Sequence, residues 1–248
     1  MSNAKNVEAY GQLVRIYTGS GAQYGAGSQN LREENLLQLL IRSEGVIKGV
    51  SDAKTSFENA TNGREVVAKK INKLASRVLA ELKSSGAMSQ TIDDARTMVR
   101  KIKGRLASGH APQPMATAGQ STDATTTPSS ASSHSRINGT DYASLAYHFE
   151  KLLQTISSEP LYQPLEPELQ VAGLQNALVL LRNGNTAVAT AIGALMKARR
   201  DRNALLYTDP GSMYNTAQAL KQRAKAAFGY DSEAAYDVNH IRLTKPTK

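Results

Sequence analysis

Residues 108–139 read SGHAPQPMATAGQSTDATTTPSSASSHSRING. Twelve of these 32 residues are Ser or Thr and 11 more are Pro, Gly or Ala, leaving Met115 and Ile137 as the only large apolar side chains. Such a stretch buries too little apolar surface to offset the entropy of ordering its backbone. It therefore reads as a disordered linker. The chain on either side falls into two pieces of similar length, residues 1–107 and 140–248, each expected to be a helical-bundle unit.

Both pieces carry apolar residues three and four apart, the spacing of a helix face turned to a core. In the first, Tyr10, Leu13, Val14 and Tyr17 form a short stripe. Leu36, Leu37, Leu40 and Ile41 form a second, after a cap at Ser28 or Asn30. Ile47, Val50 and Phe57 continue that spacing to a turn signal at Asn62-Gly63. Val67, Ile71, Leu74, Val78 and Leu82 make the next helix, which ends at Gly86. Ile92, Ala95, Val99, Ile102 and Leu106 make the last.

In the second piece, Asp141 is placed to cap a helix carrying Leu145, Phe149, Leu152 and Ile156. Pro160, Pro164 and Pro167 extend the following segment, and Pro167 suits the first turn of the next helix. That helix carries Leu174, Leu178 and Leu181 and meets a turn signal at Asn183-Gly184-Asn185. A longer helix through Val188, Ile192, Leu195 and Leu206 runs to about Thr208. Ser212 caps a helix with Ala217, Leu220, Ala224 and Phe228, closed at Gly229. A short helix from Asp231 or Ser232 carries Ala234, Val238 and Ile241. Period-two alternation is absent, so the expected class is all-α with about five helices in each half.

The halves also align. At an offset of 138, Tyr24 falls on Tyr162, Leu31 on Leu169, Leu36 on Leu174, Leu40 on Leu178 and Val50 on Val188. At 139, Leu13 falls on Leu152 and Val14 on Leu153; at 143, Gly86 falls on Gly229. The pattern predicts an internal duplication of one helical unit.

The formal net charge is +9, divided as +7 over residues 1–107, zero over 108–139 and +2 over 140–248. A basic first half admits nucleic acid or an acidic surface as partner. Lys69, Lys73 and Arg77 share one helical face, and Arg96, Arg100 and Lys103 share another. These six are the candidate nucleic-acid contacts, although no aromatic residues interleave with them as single-strand binding favours. Lys197, Arg199, Arg200 and Arg202 sit on an otherwise apolar helix, some of them near its buried face, with Asp201, Asp209 or Asp237 as partners.

No motif specifies catalysis or a cofactor. The glycine-rich residues 19–27 precede a helix, but no strand leads into them and no G-K-[ST] follows, so they read as a connector. Asp237 and His240 share a helical face without the further carboxylates that a bundle metal site needs. Glu33-Glu34 and Asp93-Asp94 are adjacent and so point apart, which suits first-turn acids at a helix N-terminus. With no cysteine there is no disulfide and no thiol nucleophile. No apolar run approaches the roughly 18 residues of a membrane span, and the N-terminus lacks a secretory pattern, so a cytoplasmic location is expected.

Phe228-Gly229, Ser232 and Tyr236, with Arg202-Asn203 and Leu206-Tyr207 upstream, resemble a pattern found in uncharacterised bacterial all-helical proteins. The resemblance covers about the last 50 residues and implies an all-helical fold without implying an activity. The expected function is a non-enzymatic interaction or scaffold protein with a protein partner. The alternatives are a nucleic-acid-associated protein using the basic first half, and an enzyme whose site is assembled from scattered residues.

Overall fold

The computed structural model describes residues 2–19, 29–104, 142–229 and 232–245, and every regular element among them is helical. The expected linker, most of residues 19–27 and the caps expected at Ser28, Asp141 and Asp231 lie outside the described residues.

Helix α1 spans Asn3–Gly19, and a 3₁₀ turn at Gln29–Leu31 leads into α2, Glu33–Ser84. Helix α3 is Ser89–Ile102 and α4 is Tyr142–Ser157. Helix α5, Val171–Asn203, continues into a π turn at Ala204–Thr208. Helices α6, Met213–Phe228, and α7, Glu233–His240, follow. Ser212 and Ser232 cap α6 and α7, their side chains accepting from the N–H of Asn215 and Ala235.

Two expected turns do not form. Helix α2 runs unbroken through Asn62-Gly63, and α5 runs unbroken through Asn183-Gly184-Asn185. An Asn-Gly pair marks a turn only where the backbone needs positive φ. Here the apolar stripe stays in phase on both sides, and one interior glycine costs only about 1 kcal/mol. Gly184 has a packing reason as well: a Cβ there would lie 3.4 Å from the Cβ of Arg64, so its bare backbone lets α5 approach α2 closely. Pro167 is not in the first turn of α5. It belongs to a preceding turn in which Glu166 O accepts from the N–H of Leu169 and Gln170. Asn30 lies in the 3₁₀ turn and does not cap α2.

The continuity of α2 and α5 redraws the domains. One compact unit comprises residues 1–59 and 189–248, the other residues 60–188. The boundaries fall inside the two long helices, so the halves flanking residues 108–139 are not the compact units. Each half contributes to both. Regrouping also levels the charge: the first unit holds 16 Lys/Arg against 11 Asp/Glu and the second 14 against 10.

In the first unit, Tyr10, Leu13 and Val14 of α1 pack with Leu36 of α2, Leu206 of the π turn, and Met213 and Leu220 of α6. In the second, Ile71, Val78 and Leu82 of α2 pack with Ile102 of α3, Phe149 and Leu152 of α4, and Leu174 and Leu181 of α5. The buried positions repeat. Asn6, Val7, Tyr10, Leu13, Val14 and Tyr17 of α1 are buried, and so is each residue 139 later: Leu145, Ala146, Phe149, Leu152, Leu153 and Ile156. Leu31, Leu36, Leu39 and Ser43 are buried, and so are Leu169, Leu174, Ala177 and Leu181, each 138 later.

Gly86 and Gly229 both have positive φ and both follow helices, as expected. Gly229 takes ψ 164°, however, which is the glycine-only extended mirror region and not the left-handed helical cap. Their pairing with each other fails on element order. Gly86 follows the long helix α2, whereas Gly229 follows α6. A third positive-φ glycine, Gly104 at φ 64°, follows α3.

One helical run within Val171–Phe228 contains an 18-residue window apolar enough, by length and composition alone, to cross a membrane, and little of that window is buried.

Candidate functional site

The six candidate nucleic-acid contacts all lie in the second unit, and three of them are already paired. Lys69 Nζ is 2.8 Å from Glu65 Oε1, one helical turn back. Arg77 and Lys70 share Glu168 at 3.2 and 3.0 Å, tying α2 to the turn before α5. The hydrogen bond and charge of Lys70, seconded by Arg77, hold the Glu168 carboxyl below the usual carboxylate range. Arg96 pairs with Asp93. Lys73, Arg100 and Lys103 are exposed, and among the described residues they make no ion pair. No hydrogen bond or ion pair joins one triad to the other.

Three unpaired cations would neutralise about three phosphates, too few for binding that survives physiological salt. We expect no retention of the full chain on single- or double-stranded nucleic acid at physiological salt. Retention that falls steeply with added salt, and drops when Lys73, Arg100 and Lys103 become glutamine, would restore the nucleic-acid alternative.

Most of the basic group on α5 faces outward. Lys197 pairs with Asp201 at 2.6 Å, Arg202 bonds the side chain of Asn203, and Arg199 and Arg200 are exposed. Half-buried Arg202, just before buried Leu205 and Leu206, is the one of the four near the buried face, and Lys197 takes the expected partner Asp201. Asp237 and His240 do not form a site together. The His240 ring lies 3.8 Å from the Tyr236 ring, with its Nδ1 3.0 Å from Tyr236 O. No three His, Asp or Glu side chains converge among the described residues.

The sequence reading missed a polar network in the first unit. Asn6 is 1% exposed, at the start of the α1 stripe. Its Nδ2 donates to Tyr207 Oη at 2.8 Å and to Thr244 O at 2.7 Å, while its Oδ1 accepts from Thr244 N at 3.1 Å. Tyr207 Oη donates in turn to Asn3 Oδ1 at 2.7 Å. The π turn presents Leu205, Leu206 and Tyr207 all to the interior. Nearby, the Lys221 ammonium donates to the carbonyls of Asn239 and Ile241, and burial first, then Lys225, lowers its pKa. One asparagine and one lysine thus fasten the C-terminal segment to the bundle.

The units differ in their grooves. In the first unit a cavity of about 420 Å³ lies between α1 and α2. Val7, Gly11, Leu40 and Ile47 line its apolar floor, and Glu8, Arg15, Glu44 and Lys48 stand at its rim. Gly11 opens it, because a Cβ there would meet the Leu40 methyls at 3.5 Å. Leu37 and Ile41, 42% and 67% exposed, extend the same wall of α2. The second unit has a groove of about 650 Å³ between α4 and α5. There Glu150 and Arg182 form an ion pair at 2.9 Å that joins the two walls. The residues at those positions in the first unit, 139 and 138 earlier, are Gly11 and Glu44. Among the described residues no ion pair bridges the first groove, and Glu44 stands at its rim with Arg15 and Lys48.

A smaller cavity of about 240 Å³ in the first unit is lined by Asn30, Asn35, Gln38, Arg42 and Thr216. It is polar but lacks an acid–base pair. Set beside known protein families, curated proteins and solved structures, the chain matches none of them.

Proposed function

We propose that this chain is a non-enzymatic interaction protein that receives an amphipathic helix of a partner protein in the α1–α2 groove of its first unit. The observation that carries this reading is the contrast between the two grooves. One is crossed by Glu150–Arg182, and the other keeps an apolar floor, an exposed Leu37–Ile41 wall and a Glu44 that makes no ion pair across it. A groove of this kind suits a helix that inserts apolar side chains spaced three and four apart. A basic residue on that helix would meet Glu44 as Arg182 meets Glu150.

We further propose that the chain is an internal duplication, with α1–α2–α3 corresponding to α4–α5–α6. Coincident burial at constant offset supports this. So do the 3₁₀ or turn segments preceding α2 and α5 and the positive-φ glycines after α3 and α6. In this reading one copy retains an open groove and the other has bridged its own.

The test uses a photo-crosslinking residue at Gln12, on the rim, in cells of the source organism. A single discrete adduct is expected. It should fall at least tenfold on Ile41→Asp or Glu44→Arg, exposed changes that alter stability by no more than about 0.5 kcal/mol. A crosslinker at Lys151, the matching position on α4, should give none. An adduct indifferent to both substitutions would remove this function and leave the duplication standing.

A further inference from the structure

We infer that residues 2–104 and 142–245 are complementary pieces that close the two units only together, so that the partner fitted by the apolar surface of one piece is the other piece, including that of a second copy of this chain. This needs neither the groove function nor the duplication.

The argument starts from the cores. Tyr10, Leu13 and Leu36 of the first piece are buried against Leu206, Met213 and Leu220 of the second. Ile71, Leu82 and Ile102 of the first are buried with Phe149, Leu152 and Leu174 of the second. The polar ties divide in the same way. Asn6 reaches Tyr207 and Thr244 in one unit, and in the other Lys70 and Arg77 reach Glu168 while the Arg64 guanidinium sits 3.8 Å over the Tyr142 ring. Alone, each piece would expose both stripes of its long helix. Apolar burial contributes roughly 25 cal/mol per Å², and these stripes are among the most buried side chains of the chain. Association of the pieces therefore does not depend on the covalent connection through residues 105–141.

That connection does set which copy is used. Pieces on one chain meet at an effective concentration on the order of millimolar. Closure within the chain thus prevails at micromolar concentration. Once the chain is cut, a piece from a second copy competes on equal terms, because every contact it offers is identical.

The experiment places a protease site at Gln120 in the full chain. After cleavage of the native protein, both pieces should co-elute at the position of the uncut chain, with melting temperature lowered but the cooperative transition kept. A tagged cut protein and an untagged, ¹⁵N-labelled cut protein are then unfolded together and renatured at about 20 µM. Capture of the tagged first piece should retain labelled and unlabelled second pieces equally, at one second piece per first. Separation of the pieces after cleavage would overturn the inference. Retention in no fixed ratio, the mark of non-specific apolar association, would overturn it too.

Discussion

Gly173→Ala is expected to destabilise the protein by about 3 kcal/mol, at the upper end of the range for overpacking a filled site. In a chain of this size that lowers Tm by about 10 °C. Gly173 lies in the first turn of α5, and a Cβ on it would sit 2.2 Å from Pro167 O and 3.1 Å from Glu168 Cα. Both obstacles are backbone, so no rotamer change relieves them. The turn that would have to move is fixed at both ends. Tyr162 Oη donates to Leu169 O at 2.9 Å, and Glu168 is held by Lys70 and Arg77. Gly193→Ala is the matched control. It lies in the same helix with nothing within 4 Å of its added carbon, and should gain about 0.5–1 kcal/mol from lower backbone entropy. Thermal unfolding of the two variants side by side checks the assignment. Equal melting temperatures would mean that the close approach of the 167 turn to α5 is misplaced.

Asn6→Ala carries a comparable penalty for a different reason. The substitution removes one side chain but strands several others: the N–H and C=O of Thr244 and the hydroxyl of Tyr207 each lose a partner. A buried polar group left unmatched costs roughly 1–3 kcal/mol, so a loss of about 3 kcal/mol is expected. Tyr207→Phe should cost about 1 kcal/mol, since it leaves the Asn6–Thr244 pair in place. Hydrogen exchange gives a local reading, with the Thr244 amide exchanging faster in Asn6→Ala and near wild-type rate in Tyr207→Phe. An Asn6→Ala protein as stable as wild type, with Thr244 still protected, would contradict the network.

The helices were legible in the sequence because their driving force is local and periodic. Leu13, Leu36, Leu152 and Leu174 lie on three–four stripes, and all four are buried. The glycine at 86 and the capping serines at 212 and 232 were legible for the same reason, since a helix end makes its demands on neighbouring residues. The run of helix through Gly63 and Gly184 was not. An Asn-Gly pair is compatible with a helix interior as well as a turn, and the choice is made by the burial of the stripes on either side. The compact units were illegible too, because a Ser/Thr-rich stretch marks where the chain leaves a core but not which core it left. Among the site residues, exposure of the cations could be read from their faces. The sharing of Glu168 by Lys70 and Arg77 could not, because it spans 98 and 91 positions. Two signals were present and unused. Asn6 is a buried polar residue at the start of an apolar stripe, 139 positions before Leu145, and Gly11 and Glu44 stand 139 and 138 positions before Glu150 and Arg182.

The interruption of one unit by the other governs the order in which the protein can be made. The second unit is a single uninterrupted stretch, residues 60–188, and is complete in sequence once that stretch has emerged. The first unit needs both ends of the chain, so Tyr10, Leu13 and Leu36 must wait for residues beyond 189. At about 5–20 residues per second, translation leaves that apolar surface uncovered for roughly 10 s or more. The interval is long compared with helix formation or the collapse of a small chain. The N-terminal segment is therefore the part of the newborn chain most exposed to misassociation, and chaperone occupancy should concentrate there until the last three helices arrive.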